Sequence, residues 1–392
     1  MFAFLRGARK LSGTIIAVLS LAALTACDIG LTSPTAGPPI DTSRPVPVAL
    51  LVPSGSGNSG DEVLARSLTQ AAQLAITDLQ GVEIDLRVYN TEGAAPAAAE
   101  AARRAVSDGA RIILGPVYAQ SANAAGLTAA SAGVNVLSFS NNPAVAGGNV
   151  FVLGPTFQNT ANRLAAYAAR QGKSRIVVVY DQNTGGELGR RAIETALIRS
   201  GVQIAGMVGY EFSQEGVIAA VPQIKEAVET AQADAIFLTA DSAGALPYLA
   251  QLLPEAGIDP AEVTFIGLKR WDIPPGTLSL PGVQGGWFAL PDPALADQFS
   301  ARYAEAYGGP PHPIAGLAYD GIAAIGALVR EGNANALSGA ALTQPAGFAG
   351  VNGVFRLLPD GTNERALAVA QVQSNQVFVI DPAPRSFGAP GF

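Results

Sequence analysis

From position 46 onward, short apolar runs alternate with longer segments whose apolar residues recur at helical spacing. The runs are 46–52, 82–88, 112–114, 134–137, 176–180, 235–238 and 263–266. The helical segments between them are 61–79, 94–107, 121–132, 156–170, 187–199 and 214–231. Ile176-Val177-Val178-Val179 is apolar on both faces, as a strand covered by helices on each side must be. Val82, Ile84, Leu86 and Val88 alternate with polar neighbours, which marks a more exposed strand. Strands alternating with helices predict βα units and parallel, doubly wound sheets, an α/β fold.

The later part of the chain changes rhythm. Over 313–330, Ile314, Leu317, Ala318, Gly321, Ile322, Ile325, Leu328 and Val329 form one apolar stripe, with Asp320 and Arg330 off it. Pro313 suits a first helical position. This predicts a core-packing helix, and Asp320 with the glycines argues against a membrane span. Segments 354–357, 366–372 and 377–380 then read as antiparallel strands, with an Asp360-Gly361 turn after the first.

The beginning of the chain has a different logic. Arg6, Arg9 and Lys10 precede an apolar run at 11–24, followed by Leu24-Thr25-Ala26-Cys27. This is the order of a secretory signal. The run is short of the roughly 20 apolar residues a spanning helix needs. Cys27 is the only cysteine. Its position behind Leu-Thr-Ala resembles the bacterial lipoprotein box, which implies acylation of Cys27 and cleavage before it. The alternative is an ordinary signal with a nearby cleavage site. Residues 28–47 hold five prolines and no apolar periodicity, which predicts a disordered or polyproline-II tether.

Removing the leading segment leaves 366 residues with 21 Lys and Arg against 31 Asp and Glu, a formal charge of −10. That balance repels nucleic acid and anionic headgroups, so any membrane attachment must come from the lipid. The length suggests two lobes. One cysteine excludes an internal disulfide.

Catalytic chemistry is hard to assemble. His312, the only histidine, sits in Gly-Gly-Pro-Pro-His-Pro before the apolar helix, and nothing resembles a nucleophile elbow. Zinc sites of the usual Cys/His type cannot be built. The Ser54-to-Gly60 loop follows a strand and precedes a helix, but lacks the Lys-Ser/Thr of a P-loop. A generic anion or polar-ligand loop at the helix N-terminus stays open. The expectation is a non-catalytic binding protein with no cofactor and no metal.

The order of Arg111-Ile-Ile-Leu-Gly-Pro116, Ala132-Gly-Val-Asn-Val-Leu-Ser138, the 175–189 segment around Val-Val-Val-Tyr-Asp, and Phe355-Arg-Leu-Leu-Pro-Asp-Gly361 resembles the type I periplasmic-binding-protein fold of the branched-chain amino-acid receptor group. That resemblance implies two α/β lobes joined by three crossovers, with ligand held where strands end. The crossovers are expected near Gly154, Gly285 and Gly350. Lobe 1 is then 46–153 with 286–343, lobe 2 is 154–285 with 344–382, and 383–392 is a tail.

The strand-end loops supply the cleft candidates: Ser54; Tyr118 and Ser121; Ser138, Ser140 and Asn141; Asp181; Asp241 and Ser242; and Lys269 with Trp271. Receptors of this group place an acidic group at a late strand end for the ligand ammonium. Here Lys269 and Arg270 stand instead, and a cation repels an ammonium. The expected ligand is therefore anionic or neutral.

A second resemblance is to the penicillin-binding-protein activator lipoproteins, carried by Val48-Ala-Leu-Leu-Val-Pro-Ser-Gly55, Lys269-Arg-Trp-Asp272 and Gln284-Gly-Gly-Trp-Phe-Ala-Leu-Pro-Asp-Pro293. It implies a peptidoglycan synthase as partner. Trp287 and Phe288 are the partner-surface candidates, because adjacent strand residues face opposite ways and one of the two should reach the surface. Two readings follow. The favoured one is a synthase activator in the cell envelope; the alternative is the substrate-binding lipoprotein of an ABC transporter, partnered with a permease.

Cys27→Ser should move the protein from the membrane pellet to the soluble envelope fraction. A variant that stays in the pellet, with no acyl mass on the wild type, would sink the lipoprotein reading.

Overall fold

The computed structural model describes residues 37–388. Signal, Cys27 and most of the tether thus lie outside the described residues. The end of the tether is docked rather than free: Ile40 is buried in the first core, and its N–H donates to Ala334 O at 2.9 Å. An apolar residue beside a core opening outweighs the local proline content.

The first sheet holds β1 (Val46–Val52), β2 (Ile84–Asn90), β3 (Ile112–Leu114), β4 (Asn135–Ser138) and β5 (Val150–Val152) in the order β2-β1-β3-β4-β5, all parallel. Its helices are α1 (Ser59–Asp78), α2 (Ala95–Ser107) and α3 (Ala119–Ala130). β1 shows how the fold is written in its residues. Val48, Leu50 and Val52 enter the core with α1, whereas Ala49 and Leu51 enter the core with α2 and α3. Alternation sends a continuous apolar run into two cores at once. The strand expected to be more exposed, β2, lies at the edge of the sheet with Val88 exposed.

Chain then crosses to the second lobe through α4 (Phe157–Arg170), β6 (Arg175–Asp181), α5 (Thr184–Arg199), β7 (Gln203–Tyr210), α6 (Gln214–Ala231), β8 (Ala235–Leu238), α7 (Leu246–Glu255), β9 (Thr264–Gly267) and β10 (Trp287–Leu290). It returns to the first lobe as α8 (Pro293–Tyr307) and α9 (Gly316–Arg330). A small antiparallel sheet of β11 (Phe348–Gly350), β12 (Gly353–Leu357) and β13 (Asn363–Arg365) follows, with Asp360-Gly361 in its second turn. Finally β14 (Ala368–Gln373) and β15 (Gln376–Asp381) add an antiparallel hairpin to the second sheet, ordered β15-β14-β10-β9-β8-β6-β7. Ser374 and Asn375 turn this hairpin with φ of 50° and 63°, the left-handed pair that a tight two-residue loop demands.

Two crossovers differ from the expected positions. The strand β10 pairs with β9 and β14, so the chain leaves lobe 2 at 291–292 rather than near Gly285. Phe348, Phe355 and Leu357 pack in the first core, and Ala366 in a second-lobe core, so the last crossing falls at 365–366 rather than Gly350. Buried side chains set these boundaries, the first of them at the Pro291-Asp292-Pro293 helix start.

The crossovers are knitted by buried polar groups. Asp320 on α9 lies 3.1 Å from Arg365 Nη1, with side-chain exposures of 0% and 4%. Its carboxylate also accepts from Val351 N at 2.8 Å and Asn352 Nδ2 at 3.3 Å. Burial pushes the Asp320 carboxyl up, while the Arg365 guanidinium and these donors pull against it. Arg365 Nε donates to Leu153 O at 2.8 Å, and Asn363 Nδ2 donates to Val152 O and Gly154 O. Gly350 is required beside this pair, since a Cβ there would meet Asp320 Oδ1 at 2.2 Å.

Asp320→Ala strands a buried guanidinium, and urea unfolding should show a loss of about 3–5 kcal/mol. A loss below about 1 kcal/mol would mean that the pair does not organise the crossovers.

Candidate functional site

Between the lobes lies a cavity of about 450 Å³, where strands β9 and β10 end and the crossovers run. Its apolar wall includes Phe157, Leu268, Leu290, Ile314 and Leu317. Its polar lining consists of Asn141, Thr156, Thr160, Lys269, Arg270, Asn352 and Arg365. Three cations line it and no carboxylate does. A neighbouring cavity of about 410 Å³ shares Asn141 and Phe157 and adds Arg191, again without a carboxylate.

Local sequence explains how these groups are held. Thr156 caps α4: its Oγ1 accepts from Asn159 N at 3.3 Å, and Asn159 Oδ1 accepts from Thr156 N at 2.9 Å. That reciprocal cap fixes Phe157 and Thr160 in the first turn. Lys269 Nζ pairs with Asp241 at 2.6 Å and lies 5.9 Å from the Phe157 ring centroid. Arg270 pairs with its neighbour Asp272, Nε to Oδ1 at 2.9 Å. Neither counter-carboxylate is part of the cavity lining. Arg365 Nη2 is buried without a hydrogen-bond partner among the described residues. Left so, it is a costly orphan, and a hydrogen-bond acceptor is what would satisfy it.

Of the cleft candidates, the structure brings Asn141 and Lys269 to this cavity and leaves the others elsewhere. Ser54 donates to Glu62 at 2.7 Å, and Gly55 N donates to the same carboxylate, holding Glu62 below the usual carboxylate range. Thus the glycine-rich loop closes on the Glu62 carboxylate of its own helix. Tyr118 donates to Asp61, and this hydrogen bond, with burial, pushes its phenol up to about 12. Ser121 is buried with its Oγ unpartnered among the described residues. Ser138 donates to Pro116 O, and Ser140 accepts from Asn142 N, so both brace the loop. Asp181 is buried and accepts from Tyr210 at 2.6 Å and Thr239 at 2.8 Å. Asp241 is spent on Lys269, and Ser242 on Ile273 O at 2.6 Å. Short polar side chains at strand ends mostly satisfy nearby backbone.

The aromatic candidates are corrected outright. Trp271 is fully buried, its ring tilted 38° to that of Phe288 with centroids 6.0 Å apart, and it lies against Gly267 and Gly286. Trp287 is 7% exposed and Phe288 0%, so neither presents a surface. They do face opposite ways: Trp287 packs edge-on against Tyr167 at 4.9 Å under α4, and Phe288 enters the core with α6 and α7. The expectation of one exposed aromatic presumed a sheet with a bare face, but both faces of this sheet carry helices.

Thr156, Phe157, Thr160, Asn352 and Arg365 were not singled out from sequence. A signal existed for the first three, the Thr156-Phe-Gln-Asn159 capping box at a crossover. For Arg365 there was none, since its partner Asp320 is 45 residues away. Among the described residues no cluster of His, Cys, Asp or Glu could hold a metal ion, and no helix is long and apolar enough to cross a membrane.

Two lobes around a lined cleft define a binding-protein architecture, and the sequence agrees: residues 45–376 match the periplasmic binding protein family, to which the chain belongs. Solved structures share the fold. A putative branched-chain amino acid ABC transporter protein from Rhodospirillum rubrum is 19% identical with a TM-score of 0.73, covering 86% of this chain and 100% of its own. A Desulfitobacterium hafniense ABC transporter substrate-binding protein in complex with Leu is 19% identical, TM-score 0.63, with the same coverage. A Rhodopseudomonas palustris solute-binding protein in complex with benzoate is 18% identical, TM-score 0.56, covering 89% and 99%. Among curated proteins no sequence matches the chain.

Trp287→Ala and Phe288→Ala should each destabilise the fold by about 3–5 kcal/mol in chemical denaturation. Either one leaving the midpoint unchanged would reopen a surface role.

Proposed function

We propose that this protein is the non-catalytic solute-binding component of an ABC transporter, taking a small carboxylate with an apolar body and presenting it to a permease. The reading rests on one observation: the interlobe cavity carries Lys269, Arg270 and Arg365 and no carboxylate. A guanidinium or ammonium backed by a counter-ion binds an anion with charge-assisted hydrogen bonds. The apolar wall of Phe157, Leu268, Leu290, Ile314 and Leu317 would bury the remainder of the solute. A zwitterionic amino acid fits less well, because its ammonium finds no acceptor carboxylate in this lining.

An envelope location fits the family, and lipid attachment at Cys27 would keep the receptor near its permease. The synthase-activator reading drew its surface argument from Trp287 and Phe288, and with both in the core no observation favours it over the transporter.

Thermal shift and calorimetry against aromatic and aliphatic monocarboxylates, with leucine as comparison, test the proposal. A carboxylate such as benzoate at 100 times its Kd should add about 2.7 kcal/mol of stability. Lys269→Ala should weaken it about tenfold or more. Micromolar binding of leucine with no response to any carboxylate would overturn the reading.

A further inference from the structure

We propose a second anion site, outside the cleft, that binds a doubly charged oxyanion of the phosphate or sulfate type. It is a pocket of about 370 Å³ between α4, the end of α5 and strand β13. Arg163, Arg170, Arg199 and Arg365 line it, together with Glu364.

Charge accounting makes the case. Arg163 and Arg170 share a single carboxylate, Asp381. Asp320 answers Arg365, and Glu364 answers Arg356 at 2.5 Å. Arg199 has no acidic partner among the described residues. Four guanidiniums line the pocket, and with Arg356 paired to Glu364, and Asp381 and Asp320 as the other counter-ions, the cluster keeps a surplus of two positive charges. Two of those guanidiniums are buried, each with side-chain exposure of 4%, and that of Arg365 keeps a nitrogen unsatisfied among the described residues. Arg365 Nη2 has no hydrogen-bond partner among the described residues, while Arg163 Nη1 lies 2.8 Å from Asp381 Oδ2 without hydrogen-bond alignment. Burial also lowers the Arg163 guanidinium from its ordinary value, an electrostatic cost that a bound anion relieves. A buried donor left open at Arg365, in a surplus of positive charge, is the chemistry of a dianion site.

The location gives the site a consequence. β13 carries the last crossover, and α4 begins just after the first, so an anion here ties both crossovers to lobe 2. Arg365 lines this pocket and the interlobe cavity alike. Anions in the two places would therefore draw on the same guanidinium.

The test is calorimetric titration with inorganic phosphate at pH 8 and fixed ionic strength, on wild type, Arg199→Ala and Lys269→Ala. Arg199 is exposed, so its replacement should leave the melting temperature unchanged. The expected result is saturable one-to-one binding by wild type, weakened about tenfold or more in Arg199→Ala and unchanged in Lys269→Ala. Absence of saturable binding by wild type, or wild-type affinity in Arg199→Ala, overturns the outer site. Loss in Lys269→Ala alone would place phosphate in the cleft, which leaves the solute-binding reading standing while this one falls.

Discussion

The buried pair of Asp320 and Arg365 is the constraint on which the two-lobe arrangement depends. An ion pair wholly out of water is tolerated only where hydrogen bonds satisfy it, and here they come from several chain segments. Asp320 draws Val351 and Asn352 toward α9, and Arg365 reaches Leu153 at the first crossover. Segments distant in sequence are thereby fixed at one point, from which Arg365 and Asn352 line the cleft. Such a pair contributes less to net stability than apolar residues of equal volume often would, but it specifies which strands meet.

Everything chemically distinctive about the molecule lies within reach of that point. The interlobe cavity opens on one side of Arg365 and the outer basic pocket on the other. A protein with a strongly acidic overall balance has gathered a local excess of guanidiniums where its crossovers run. That local excess is the feature on which the anion-binding proposals rest. Binding sites in open α/β folds fall at strand ends and chain switch points because side chains from separate units converge there.

The sequence alone determined the fold class, because apolar alternation is a local property. Doubly apolar runs such as Ile176 to Val179 can exist only between two helical layers, and the Asp360-Gly361 turn announced an antiparallel ending. Sequence also placed cations at Lys269 and Arg270 and so argued for an anionic or neutral ligand. Tertiary structure decided what local pattern cannot encode. Trp287 and Phe288 looked like one core and one surface aromatic, yet the helices over each face come from segments far along the chain. Ser54, Asp181 and Tyr118 looked available until Glu62, Tyr210 and Asp61 were seen to satisfy them. Arg365 carried no signal at all. Its meaning comes from a carboxylate 45 residues earlier and a crossover more than two hundred residues earlier, because charge pairing in a core is set by distance in space and not along the chain.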